Sequence, residues 1–129
     1  MKYIIFFVAL IAAAACTQQA ATTNSEPGTK EFQVTIGHTF YNPRTFEANV
    51  GDTVRFLAIA AQGTAAHNHG ITIGAFGVDQ AVTTEDANNP IDIEFVADKS
   101  GTFDIYCATC WEGPYGRGHP DIRATLVVK

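Results

Sequence analysis

IEFVADKSGTFDIYC, residues 93–107, is the stretch on which the fold turns. Ile93 and Phe95 alternate with Glu94, the run Asp98-Lys99-Ser100-Gly101 interrupts, and then Phe103 and Ile105 alternate with Asp104 and Tyr106. A period of two marks a half-buried strand, and a Ser-Gly pair between two such runs marks a turn. Cys107 has the parity of Phe103 and Ile105, so its sulfur is expected to point inward at the end of a strand. The same alternation recurs outward from this stretch. Phe32, Val34 and Ile36 alternate with Gln33 and Thr35, Ile91 belongs with Ile93, a run from Thr53 to Ile59 follows Gly51-Asp52, and Ala124 to Val128 closes the chain. Further turn signals stand at Asn42-Pro43 and Asn89-Pro90, and no dozen residues carry a helical period. The pattern predicts an all-β antiparallel sandwich or barrel of about seven strands in one body of about 100 residues.

The first thirty residues read differently. Lys2 is a short basic start and Tyr3 to Ala15 is an almost unbroken apolar run, too short to span a bilayer but suited to a signal-peptide core. Ala13-Ala14-Ala15-Cys16 resembles a bacterial lipobox, which implies cleavage after residue 15 and lipidation of Cys16. Residues 16–30 are polar, carry Pro27 and Gly28, show no period and are expected to form a flexible tether to a folded domain at 31–129. The expected location is extracytoplasmic or periplasmic, on a membrane through the lipid. Thr17 after Cys16, rather than Asp, points to the outer membrane. The 129 residues carry eight basic and thirteen acidic side chains, and losing Lys2 takes the net charge from −5 to −6. No electrostatic case for a nucleic-acid partner exists.

Two thiols and three imidazoles remain in two places, His67-Asn68-His69 and the segment from Cys107 through Cys110 to His119. Thiolates with imidazoles favour copper or zinc over calcium or magnesium. Structural zinc pairs its ligands on compact knuckles, whereas one histidine here lies some 40 residues upstream. A redox C-x-x-C needs a helix N-terminus, which the pattern does not supply. Covalent haem needs C-x-x-C-H, and Trp111 takes the histidine position. A plain disulfide between Cys107 and Cys110 stays open. The connection from Cys110 to Ile122, with glycines at 113, 116 and 118 and prolines at 114 and 120, is a shaped loop.

Three segments resemble the cupredoxin superfamily: EANVGDTVRF (47–56), HGITIGAFGV (69–78) and IEFVADKSGTFDIYC (93–107). They are similar to the CuA domains of cytochrome oxidase subunit II and nitrous oxide reductase, and to nitrosocyanin. The resemblance covers roughly residues 32 to 129 and implies a Greek-key β-sandwich with a copper centre. It implies ligands His69, Cys107, Cys110 and His119. Beside these, His67 reads as an additional ligand, a group orienting His69 or a surface residue, and Glu112 as a weak carboxylate ligand or a solvated loop acid. His38 is expected to be structural or exposed, and Trp111 and Tyr115 to line the pocket or a docking surface. CuA sites separate their two cysteines by three residues and follow them with a close histidine and methionine. Here two residues intervene, His119 is distant, and the single methionine is Met1. The expected cofactor is therefore copper in a CuA-like variant site, mononuclear or binuclear. One-electron transfer to a redox partner leads, and Cu(I) delivery to an acceptor protein is the alternative. No nucleophile–base pair or set of pocket acids marks an enzyme.

Overall fold

The computed structural model describes residues 27–108, 110–112, 117–118 and 122–129, with backbone only at 111–112 and 117–118. The leader, the lipidation residue Cys16, His119, Tyr115 and the side chains of Trp111 and Glu112 lie outside the described residues.

Among the described residues eleven strands follow in chain order: β1 (Thr29–Ile36), β2 (Tyr41–Asn42), β3 (Thr45–Ala48), β4 (Thr53–Ala60), β5 (His69–Ile73), β6 (Val78–Val82), β7 (Ile91–Val96), β8 (Gly101–Tyr106), β9 (Trp111–Glu112), β10 (Arg117–Gly118) and β11 (Arg123–Val128). No α-helix occurs among the described residues, and one 3-10 turn, Gly74–Phe76, links β5 to β6. β1 takes in Thr29 and Lys30, which composition alone assigned to the tether.

One sheet has the order β2-β1-β4-β7 and the other β3-β11-β8-β5-β6, with β9 and β10 as a separate ribbon. The sheets are mixed, which corrects the purely antiparallel expectation. β1 runs parallel to β4 over its whole length, from Thr29 opposite Thr53 to Ile36 opposite Ala60, and β11 runs parallel to β3. The connection after β1 carries β2 and β3, and β3 sits in the other sheet, so the chain crosses over before β4 returns beside β1. A parallel neighbour requires such a crossover.

The two inward faces make the core. β4 alternates without a break, burying Val54, Phe56, Ala58 and Ala60, and β1 adds Val34 and Ile36. Facing them are Ile71 and Ile73, Ile105, and Ala124, Leu126 and Val128. Phe56 is fully buried, with the ring centres of Phe46 at 4.8 Å and of Phe32 and Phe95 at 5.8 Å. Cys107 and Cys110 belong to the same buried cluster, so the inward parity expected of Cys107 holds.

The end where β1 and β4 begin is closed by Asp52. Its carboxylate accepts the Asn49 N–H at 2.8 Å and the Gly28 N–H at 2.9 Å, while the residue is only 1% exposed. Gly51 stands beside it at φ 92°, a conformation that favours glycine. The backbone N–H groups of Asn49 and then Gly28 hold the Asp52 carboxyl below the usual aspartate value, with burial opposing them. A depressed carboxyl stabilises the fold above its unfolded pKa, and this contribution is lost as pH falls through the folded value. Asp52→Asn is therefore expected to lower Tm most at neutral pH, with the gap to the native protein narrowing below about pH 4. A Tm difference that stays constant from pH 7 to 3 would contradict this role.

Candidate metal centre

The opposite end gathers the chemistry. His69 opens β5 and is 1% exposed. It pairs with Val82 of β6, and the Tyr41 hydroxyl donates to the Gly70 carbonyl at 2.7 Å in a buried bond. Burial lifts the Tyr41 phenol well above the usual tyrosine range, against a smaller opposing influence from Arg123, so it remains a hydrogen-bond donor at all ordinary pH. The backbone at the head of β5 is thus held from both sides.

The cysteine segment is fastened to the same strand. β8 pairs with β5 antiparallel at Thr72 opposite Tyr106. Continuing that register puts Cys107 alongside Ile71, on the inward face that His69 and Ile105 share. The Ala108 N–H donates to Thr72 Oγ1 at 3.1 Å, and that hydroxyl donates to Asp79 Oδ1 at 2.9 Å. One threonine, 6% exposed, thus joins β5, β6 and the residue next to Cys107. Thr72→Val keeps the shape but leaves the Ala108 N–H and the Asp79 carboxylate without this partner. It is expected to lower stability by about 1–3 kcal/mol, and amide exchange at Ala108 should accelerate. An unchanged exchange rate at Ala108 would mean that the hydroxyl does not hold the segment.

Cys107 and Cys110 are joined as a disulfide, with Cα atoms 5.3 Å apart. Of the alternatives open for the C-x-x-C, the structure shows this one, the oxidised form of the pair that would supply two thiolates when reduced. Cys110 is fully buried and Cys107 7% exposed.

His67 and His38 complete this end. The loop after β4 is tied to the end of β1 by the Ala61 N–H on the Ile36 carbonyl at 2.8 Å, and His67 N–H donates to Thr64 O at 2.9 Å. Glu85 braces the loop from outside, accepting the Ala65 N–H and the Gln62 side-chain amide, each at 2.7 Å. Backbone N–H groups of Gly63 and Ala65 hold its carboxyl below the ordinary glutamate value. His38 is half-buried rather than simply exposed. Its ring centre lies 4.3 Å from that of His67 and 5.5 Å from that of His69.

Sequence reasoning took His38 as structural or exposed, and no local signal places it beside His67 and His69. It lies 31 positions before His69 and joins it because β1 and β4 are parallel, so the segments leaving both strands emerge at one end. Among the described residues no three acidic, thiol or imidazole groups already converge on one point as a metal cage. The donor types nevertheless suit copper: buried sulfur from Cys107 and Cys110, and imidazole from His69 at the same end of the sandwich.

No family model matches the sequence. No curated protein is similar to it in sequence. Solved structures are similar in fold. A chain of a heme-copper terminal oxidase aligns with 78% of this chain at 13% identity and a TM-score of 0.56, and this chain spans 65% of its length. The periplasmic domain of subunit II of cytochrome oxidase from Bradyrhizobium japonicum aligns with 77% of the chain and 83% of its own length, at 16% identity and a TM-score of 0.56. Subunit II was also solved as a mixed disulfide with a thioredoxin-like protein, at the same identity and TM-score, over 77% of this chain and 80% of its own. A copper binding protein in its apo form aligns over 81% of this chain and 91% of its own, at 15% identity and a TM-score of 0.56. The chain has the all-β cupredoxin fold.

Proposed function

We propose that this protein is an exported, lipid-anchored copper protein that passes single electrons through a centre held by His69, Cys107 and Cys110, with His119 as a further ligand. One observation carries the reading: a buried histidine at the head of β5 and a buried cysteine pair are fastened to the same strand through Thr72 at one end of a cupredoxin fold. Copper in such a site supplies a one-electron couple. The protein's part is to keep the donors still and dry. β5 holds His69 through the Tyr41 bond to its neighbour, and Thr72 holds the Cys107 segment. The buried setting of Cys107 and Cys110 keeps water away from the sulfurs.

The disulfide adds a requirement. The pair must gain two electrons and two protons before both sulfurs can bind, and a partner dithiol that itself becomes a disulfide supplies them. The mixed disulfide known for subunit II with a thioredoxin-like protein supports this class of partner. The redox partner on the electron-transfer path and the extracytoplasmic membrane location belong to the same proposal, with Cys16 as the lipidated residue and residues 16–30 as the tether.

The same sulfur pair, with methionine absent beyond Met1, favours a second reading in which Cu(I) is held for delivery to an acceptor protein. Loading the reduced protein with copper separates the two. Intense charge-transfer absorption and a reversible potential are expected for electron transfer, and the EPR hyperfine pattern reports one copper or two. A colourless Cu(I) complex that hands its metal to an acceptor would overturn electron transfer in favour of delivery.

A further inference from the structure

The three imidazoles at the metal end form a series graded by depth. His67 is exposed, His38 is half-buried and His69 is buried at 1% exposure. His38 is the shared member, with ring centres at 4.3 Å to His67 and 5.5 Å to His69. An imidazole nitrogen sits about 2.0 Å from a bound Zn(II) or Cu(II), and the ring centre about 1.1 Å further out. Two imidazoles in neighbouring positions around one ion therefore have ring centres about 4.5–5 Å apart. The observed separations bracket that spacing. The rings meet edge to face, at interplanar angles of 78° and 65°, so side-chain rotation is needed to aim nitrogens at a common point.

The backbone around the cluster is built rather than incidental. Ile36 O accepts the Ala61 N–H, which ties the segments bearing His38 and His67 together. Gly37 N–H donates to Phe40 O at 2.9 Å, closing the turn that carries His38. A Cβ at Gly37 would approach the Phe40 ring to within 2.3 Å, so that turn admits only glycine without rearrangement. Glu85 holds the His67 loop by accepting the Ala65 N–H at 2.7 Å.

We propose that His38 and His67, backed by His69, form an imidazole site for Cu(II) that works while Cys107 and Cys110 are joined as a disulfide. The site receives copper from solvent and holds it next to His69 until reduction frees the sulfurs. Imidazole suits Cu(II), so the site holds that ion while the sulfurs are oxidised, and a partner dithiol that itself becomes a disulfide is the reductant that frees them. This rests on the copper reading above for its choice of ion and for His69, which both sites share, while the imidazole site itself uses no sulfur.

The test uses the full chain with its disulfide intact, without reductant, titrated with Cu(II). One equivalent is expected to bind, with nitrogen hyperfine structure in EPR, and Cu(II) is expected to protect His38 and His67 from imidazole-modifying reagent in the unaltered protein. Loss of an outer partner alone costs a metal site about 10–100-fold in affinity, so His38→Ala and His67→Gln should each weaken binding at least about tenfold. The Cys107→Ser/Cys110→Ser double variant should keep this affinity while losing every sulfur-based band of the reduced protein, so the two proposals fail separately. Unchanged affinity in the combined His38→Ala/His67→Gln variant overturns the imidazole site. So does binding that is lost in His119→Ala alone while His38→Ala binds normally.

Discussion

Cys107→Ser is expected to abolish the charge-transfer absorption of the Cu(II)-loaded protein with its disulfide reduced, while His67→Gln is expected to leave that absorption in place. The intensity of such a band comes from sulfur-to-copper electron donation, and a serine oxygen cannot supply it. Cys107 is the residue for which the geometry is most constrained. It follows β8 directly, has the inward parity of Ile105, and is flanked by Ala108, whose N–H is held by Thr72. Loss of the disulfide is the obvious confounding effect, and its size is modest. The bridge spans a sequence separation of three, and in the chain-entropy account so short a loop contributes about 2 kcal/mol. The variant should therefore remain folded by circular dichroism. Colour persisting in folded Cys107→Ser would show that this cysteine is not the ligand, and the site would have to be sought elsewhere.

Phe56→Ala lowers stability by about 3–5 kcal/mol, the range for truncating a fully buried aromatic residue. Phe56 lies in β4, the strand placed between β1 and β7, and touches rings from β1, β3 and β7. Removing it opens a hole between the two sheets that Phe46, on an edge strand paired with β11, cannot close by itself. With about 4–8 °C of Tm per kcal/mol for a domain of this size, the melting temperature should fall by more than about 12 °C. Val96→Ala is the control. Val96 is 54% exposed at the end of an edge strand, and its truncation should change stability by no more than about 0.5 kcal/mol. Equal losses in the two variants, measured by denaturant unfolding, would mean that the core is not centred on Phe56.

Much of this was visible in the chain before folding. The alternation in residues 53–59 and 91–95 marked two strands that do pair, Val54 opposite Phe95 and Phe56 opposite Ile93. β3 and β6 were less legible. β3 has four residues and β6 buries only its two ends, so neither offers a full period of alternation. The parallel pairings were hidden for a different reason. Alternation reports which face a residue occupies but not the direction of its neighbour, and short turn signals suggest hairpins where the chain in fact crosses to the other sheet.

The candidate site divides the same way. Cys107 could be placed facing inward, and His69 could be singled out by the residues after it, because strand parity and local resemblance are properties of short segments. His38 could not. Its position beside His67 and His69 depends on β1 and β4 running side by side in the same direction, a contact between residues that no local pattern links. The closing of Cys107 onto Cys110 was one open alternative among several for the same four-residue motif, and the folded chain shows that form. The sequence by itself determined a β-rich chain, the inward thiol and the donor chemistry, since period and side-chain type are local. Only the tertiary structure decided the mixed sheets, the threonine that fastens the cysteine segment and the third imidazole, since each depends on strands brought together from distant parts of the chain.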